Sequence, residues 1–390
     1  MSLTAAVDAR CLGRPGIGFY AVVRAIVDEL AADGWRVALV TDKAESARRL
    51  GREYPAAEVV LLPRTTWLWW EQVQVARWLA RRRPDLWVAP TNYGVPLFRP
   101  SGVKSLLVVH DLIPLLYPRT YLTTRPLWAA MYLVSLGTSL LRADVVASVS
   151  DASAHQVYRF CRRRAPVSHP PVPERLGARP PSPLQNQRFV VFNGGFDSRK
   201  NVPQLLEAFG LFRASPEGTG SLLVIMGDRD DLARAMLAEH GLEAASVVTG
   251  YVAEEDKWAY LANAVAVAYP SSYEGFGIVA TEAFAAGVPL VCGTGGALAE
   301  VGGEAAIFVD PARPSSIAEG LRRACDPAVR EKAVAAGYRQ LEMLRQRSGG
   351  WAVLARSLAG PPDATKARRR PRPRQQPSAA GPGIAGVSEA

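Results

Sequence analysis

Ser271-Ser272-Tyr273-Glu274-Gly275-Phe276-Gly277 sets a carboxylate between a polar run and two glycines, and Glu282 follows eight residues after Glu274. The apolar run before this loop reads as a buried strand, and residues 278–286 after it read as a helix. Gly275 and Gly277 let the backbone approach a ligand closely. Free amides at a helix start, at the positive end of its dipole, suit a diphosphate. Two carboxylates beside a phosphate site are electrostatically odd unless they hold hydroxyls, and carboxylates accept hydrogen bonds from sugar hydroxyls well. Each fragment alone is an ordinary turn or an exposed helix residue. The strand, the loop, Glu282 and the return Ala286-Gly287-Val288-Pro289 are quite specific together.

Three further segments carry reactive types. Asn193-Gly194-Gly195-Phe196-Asp197-Ser198-Arg199-Lys200-Asn201 ends a strand and opens a helix. Arginine can grip a phosphate bidentately and lysine adds a point charge. Two cations at a helix N-terminus oppose its dipole, so their placement there suggests an anionic ligand. Val109-His110-Asp111-Leu112-Ile113-Pro114 ends another strand. An isolated histidine is ordinarily a structural residue, but this strand-end setting sets His110 apart from His155, His169 and His240. Gly16-Ile17-Gly18 follows the first strand, a weak signal because glycines are common at such turns.

The 271–282 segment resembles the Glu-x7-Glu motif of retaining glycosyltransferases of the GT-B fold, in particular glycosyltransferase family 4. The 193–201 segment is similar to that family's glycine loop and Arg-Lys-Asn. Residues 295–311 resemble the end of its donor domain, with Ala299 where proline is usual. The resemblance covers residues 3 to 325, and the His-Asp-Leu-Ile-Pro run is similar to mannosyltransferase-like members. It implies roles for particular residues. Arg199 and Lys200 would hold the donor diphosphate, together with the amides after Gly275, Phe276 and Gly277. Glu274 would fix the transferred sugar, Glu282 the ribose, and His110 the sugar near its reacting face. Gly16 and Gly18 would close over the phosphates, and Tyr251 and Val252 would meet the nucleobase. It also implies hexose transfer with retention, from a nucleoside diphosphate sugar, GDP-mannose first, with no required cofactor. Asp228-Arg229-Asp230 has the form of a metal-binding Asp-x-Asp, but an N-cap role is the better reading and no metal is expected.

These residues need rigid elements to hold them. Short apolar runs alternate with amphipathic stretches along the chain, the mark of parallel sheets with crossover helices. Strands are expected at 3–7, 36–40, 58–62, 86–89, 105–109 and 144–149. They are expected again at 189–193, 221–226, 246–248, 264–268, 289–292 and 306–309. Helices are expected at 19–32, 71–83, 202–213, 232–240, 257–261, 278–286 and 315–324. The expected architecture is α/β: two Rossmann-like doubly wound domains facing across a cleft, with ligands beyond the carboxyl ends of the strands. The expected divisions are an acceptor-side domain 1–170, a proline-rich linker 171–187 and a donor domain 188–345. A helix at 346–360 would pack back on the first domain, and a basic tail at 361–390 is too poor in apolar residues to order.

The 390 residues suit two domains, and 48% hydrophobic content suffices for two cores. Four cysteines without a CxxC pair exclude a zinc or disulfide framework and suggest a reducing cytosol. No secretory leader is read at the N-terminus. Residues 126–141 are apolar but too short to span a bilayer. The net charge of +10 favours polyanions. Trp67-Leu68-Trp69-Trp70 and the basic runs would suit peripheral contact between the N-terminal domain and an anionic membrane, although tryptophans pack in cores as readily. The expected partners are a nucleotide-sugar donor and a glycan or lipid-linked acceptor in bacterial surface polysaccharide assembly, at the cytoplasmic membrane face. No nucleic-acid motif is present. Two alternatives stand: a sugar-nucleotide epimerase of the same fold, which the Glu and Arg-Lys-Asn motifs argue against, and a non-catalytic interaction protein.

Overall fold

The computed structural model describes residues 2–13, 18–185, 187–227 and 229–360. β1 (Thr4–Asp8) leads through α1 (Tyr20–Ala32) to β2 (Arg36–Thr41), α2 (Ala44–Glu53) and β3 (Glu58–Leu61). The crossover of α3 (Trp67–Trp69), a π-helical stretch Trp70–Val75 and α4 (Ala76–Arg82) returns to β4 (Leu86–Ala89) and β5 (Lys104–Val109). Next come α5 (Ile113–Leu116), α6 (Pro118–Thr124), α7 (Pro126–Arg142), β6 (Val145–Ser148) and α8 (Asp151–Cys161). The second unit alternates β7 (Phe189–Asn193), α9 (Val202–Arg213), β8 (Leu222–Met226), α10 (Asp230–Glu239), β9 (Ser246–Gly250) and α11 (Glu254–Asn263). It continues with β10 (Ala266–Tyr269), α12 (Ile278–Ala285), β11 (Leu290–Cys292), α13 (Leu298–Gly302), β12 (Ala306–Phe308) and α14 (Pro314–Cys325). α15 (Pro327–Gln346) and α16 (Trp351–Ala359) close the described chain.

Both sheets are wholly parallel and share one topology. Their orders are β3-β2-β1-β4-β5-β6 and β12-β11-β10-β7-β8-β9, the doubly wound arrangement repeated. All twelve expected strands form, with ends shifted by a residue or two. Strands covered on both faces read as continuous apolar runs, which is why they are visible in the sequence. β1, β4, β5, β7 and β10 are almost wholly buried.

The strand order reverses between β1 and β4 in the first sheet and between β7 and β10 in the second. These switch points open two crevices at the carboxyl ends, and the crevices face each other. The chain crosses between the units twice. The first crossing starts as a strip along β6, where Ser148 N donates to Pro166 O and Ser168 N to Ser148 O. The second, residues 347–350, carries α16 back onto α1 of the first unit, where Trp351 is fully buried and Arg356 pairs with Asp33 at 2.7 Å.

Some local expectations differ from the structure. Asp230 is the first residue of α10 rather than its cap, and Asp228 lies outside the described residues. The 71–83 helix begins earlier, at Trp67, and passes through the π-helical stretch. The tryptophan cluster does not form an exposed patch: Trp70 is fully buried, Trp67 sits against Tyr93 and Trp128, and Trp69 alone of the three is exposed. Gly16 and residues 361–390 lie outside the described residues, so their expected roles are not addressed by the structure.

Candidate active site

A cavity of about 370 Å³ lies between the two switch points. Of the residues singled out in the sequence, it is lined by Gly18, His110, Arg199, Lys200, Glu274, Gly275, Phe276, Gly277 and Glu282. Tyr251 is 74% exposed, and neither it nor Val252 lines the cavity. β7 ends at Asn193, and a single 3-10 turn, Ser198–Lys200, delivers the two cations before α9 begins. They therefore precede the helix rather than occupy its first turn. Asn201, in a left-handed conformation, anchors this turn to the neighbouring loop by donating to Pro270 O at 2.8 Å and Ser272 Oγ at 2.7 Å.

Glu274 is the hub. Its Oε1 accepts from Lys200 Nζ at 2.5 Å, Arg199 Nη1 at 2.6 Å and Ser271 Oγ at 2.6 Å. No hydrogen bond to Oε2 occurs among the described residues. Burial alone would push this carboxyl up, but Lys200 and Arg199 outweigh it and hold it below its usual range. Lys200 also contacts the Tyr269 hydroxyl, and burial lowers its pKa. Two cations meet on one carboxylate oxygen here, and Asp197, 3.7 Å from Arg199, balances the second charge, so the cations are held in place by acids while they line the cavity. Arg199 Nε is buried and has no hydrogen-bond partner.

Glycines bring the opposite loop in. The Glu274–Gly296 bridge lays residues 293–296 against 271–274, and a Cβ at Gly295 or Gly296 would collide with the Ser272 or Glu274 carbonyl. Gly277 (φ 99°) opens α12, whose N-terminus has no side-chain cap. Ile278 and Val279, the first residues of α12, line the cavity. Glu282, on the first turns of α12, is held by two residues to which the sequence assigned no role in the site. Lys257 of α11 bonds Oε1 at 2.8 Å, and Asn193 donates to Oε2 at 3.2 Å. Burial nevertheless raises the Glu282 pKa.

From the first unit, His110 directly follows β5. Its Nε2 lies 2.7 Å from Pro90 O, and its backbone N–H donates to Asn92 Oδ1 at 2.6 Å. Burial lowers its pKa to about 4, so the ring is neutral at ordinary pH. With the carbonyl taking the Nε2 proton, Nδ1 is an acceptor. The Phe19 ring meets the imidazole edge-on, 4.4 Å between centroids. The units touch here: a Cβ on Gly275 would collide with the His110 carbonyl, while Ser150 Oγ donates to Gly275 O at 2.6 Å and Ser153 Oγ to His110 O at 2.6 Å. Beside them the N-terminus of α8 takes a carboxylate from the other unit, as the amides of Asp151 and Ala152 each donate to Glu300 at 3.2 Å.

Two smaller cavities run from this one across the first switch point. One, about 210 Å³, shares Phe19, Asp111 and Arg199 with the main cavity and is walled by Tyr93, Tyr121, Trp128 and Tyr132. The next, about 190 Å³, reaches Arg10, Lys43 and Arg64. Arg10 is fixed from behind by Asp8 at 2.7 Å and the fully buried Glu71 at 3.2 Å.

Two family models match the chain in succession: Glycosyltransferase Family 4 over residues 18–175 and Glycosyl transferases group 1 over residues 178–340. The chain belongs to these glycosyltransferases. It is 31% identical over 227 residues to O-antigen chain mannosyltransferase B of Escherichia coli, a match that covers 53% of this chain and 58% of that protein. It is 29% identical over 191 residues to glycogen synthase of Mycobacterium tuberculosis, covering 47% and 45%. The chain thus spans about half the length of these curated relatives. The solved structure of Anabaena Alr3699/HepE in complex with UDP and glucose superposes with a TM-score of 0.65 at 18% identity, covering 89% of this chain and 98% of that one. At that identity the likeness concerns the fold.

Proposed function

We propose that this chain is a retaining hexosyltransferase that moves mannose from a nucleoside diphosphate sugar, GDP-mannose first, to a hydroxyl of a glycan or lipid-linked acceptor. The observation that carries this reading is the shared Glu274 oxygen. Arg199 and Lys200 converge on Oε1 at 2.6 and 2.5 Å, in a cavity that also takes the uncapped start of α12. Such a wall stabilises negative charge as it grows on a departing diphosphate. Glu274 Oε2 is left to accept from a sugar hydroxyl, and neutral His110 accepts another through Nδ1. Glu282, steered by Lys257 and Asn193, accepts from the ribose. The donor lies at the second switch point and the acceptor at the first, in the aromatic cavity that shares Asp111 and Arg199 with the donor side. A front-face displacement, in which the leaving phosphate oxygen takes the acceptor proton, needs no second carboxylate across the scissile bond. Mannose is favoured by the mannosyltransferase among the relatives. Surface polysaccharide assembly at the cytoplasmic membrane face is the setting this implies.

The test is thermal stability with GDP, UDP, ADP and dTDP and their sugars, with and without EDTA. One nucleotide family is expected to raise the melting temperature with or without EDTA, and Arg199→Ala is expected to abolish the shift. No stabilisation by any of them would overturn the donor site.

A further inference from the structure

One face of the first unit is apolar, exposed and ringed by arginine. α7 buries Ala129, Tyr132, Ser135, Leu136 and Ser139. Its opposite side exposes Leu127 (72%), Val134 (52%) and Leu141 (73%) at seven-residue spacing, with Leu133 alongside. Residues seven apart lie on one side of a helix, so these side chains form a stripe about 20 Å long. α6 adds exposed Leu122, and Phe98, 81% exposed, adjoins the far end, where Arg99 donates to Arg142 O. An isolated exposed leucine is ordinary, but a contiguous stripe along a helix is not.

Charge identifies the occupant. From Leu112 to Ala143 the sequence holds no aspartate or glutamate, while Arg119, Arg125 and Arg142 flank the stripe. A face for another protein would ordinarily mix both signs at its rim. Arginines border the exposed leucines, and Asp144, just past the far end, is already paired with Arg99 at 2.9 Å, so the balance of charge complements an anionic lipid surface. No described helix is long and apolar enough to cross a membrane, so this one would lie in the interface plane.

We propose that the α6–α7 face docks on a bilayer containing anionic phospholipid, with Leu127, Val134 and Leu141 entering the headgroup boundary. The surface differs from the tryptophan cluster expected in the sequence, which the fold has largely buried. Its position deepens the transferase reading and rests on it in one respect. Tyr121, Trp128 and Tyr132, on the same two helices, wall the aromatic cavity. Docking therefore brings the acceptor cavity to the lipid surface, where an acceptor anchored by a lipid chain would present its sugar.

The test is co-sedimentation of the full chain with vesicles of phosphatidylcholine alone or with roughly one-third phosphatidylglycerol. Binding is expected to favour the anionic vesicles. The combined variant Leu127→Asp, Val134→Asp, Leu141→Asp is expected to bind them at least about tenfold more weakly. Its melting temperature and its nucleotide binding in vesicle-free solution should be unchanged. Wild-type binding by the triple variant would overturn the proposal and assign the affinity to the basic tail, which both proteins carry. A wild-type dimer that the variant makes monomeric, with no vesicle binding by either, would overturn it in favour of a contact between copies. If the triple variant does not fold, Leu141→Asp alone and Arg119→Gln with Arg125→Gln keep the test open: the first should weaken binding, and the second should erase the preference for anionic vesicles. Nucleotide binding read without vesicles separates failure of docking from failure of the transferase reading.

Discussion

His110 shows how burial turns an ordinary group into a specified one. In an unfolded chain it would protonate near pH 6.5, whereas in the folded chain burial delays this to about pH 4. Between those values the unfolded state binds more protons, so its contribution to stability is complete above pH 6.5 and declines as the pH falls toward 4. The loss by pH 4 should be about 3 kcal/mol. Urea unfolding of wild type and His110→Gln from pH 7 to 4 checks this: the difference between the two should shrink on acidification, and parallel curves would show that the histidine ionises freely. His110, Glu274, Arg199 and Lys200 were legible because each sits at a strand end or in a loop before a helix, next to glycine or a charged neighbour, and Glu282 was legible by its spacing of eight residues from Glu274. Lys257 was not. It lies in the amphipathic helix α11, 25 residues before Glu282, and nothing local separates it from any solvated lysine. Glu71 was hidden similarly, since its partners Arg10 and Ser135 are 61 and 64 residues away.

Loops between strand and helix set the distance across the cleft. Gly275 has no positive φ; it is required because the backbone at His110, just beyond β5, passes directly over it. Gly275→Ala would push the His110 carbonyl away and with it the wall that holds the imidazole. A displacement near 1 Å at a reacting centre can cost about a hundredfold in rate. Sugar transfer by Gly275→Ala is therefore expected to fall by about that factor, with nucleotide affinity much less affected. Steady-state kinetics beside a nucleotide titration would show it, and an unchanged rate would mean that the units do not meet this way in turnover. The central strands were legible for the same reason that they are rigid: β1, β4, β5, β7 and β10 are buried on both faces and almost wholly apolar. The long helix α15 was not, because its apolar positions are mostly alanine and glycine, which give little periodic contrast. The contact of Gly275 with His110 joins segments 165 residues apart in sequence and is invisible before folding.

Across the molecule, polar contacts join the two units beside an apolar core that runs through both of them. Glu300 gathers several of them: it accepts from the start of α8 and from His169 at 2.9 Å and lies 3.7 Å from Arg347. Its pKa lies below the usual range, since those donors outweigh its burial. Glu300→Ala leaves the two amides without this acceptor and should weaken closure by about 1–3 kcal/mol. Solution X-ray scattering is expected to report a larger radius of gyration for the variant; equal radii would mean that Glu300 does not hold the units together.

The two crossings between the units run side by side. His169 N donates to Arg347 O at 3.0 Å, Ser348 Oγ to Pro170 O at 2.8 Å and Ser168 Oγ to Gly349 O at 2.5 Å. A pair of tethers so joined behaves as a door hinge: the second unit can swing about the line they define but has little freedom to slide or twist. The jamb is the His110 carbonyl and the latch is Glu300, so each opening returns Glu274 to the same place. Positional accuracy at the reacting centre then follows from a single pivot more than from the strength of any one contact across the gap.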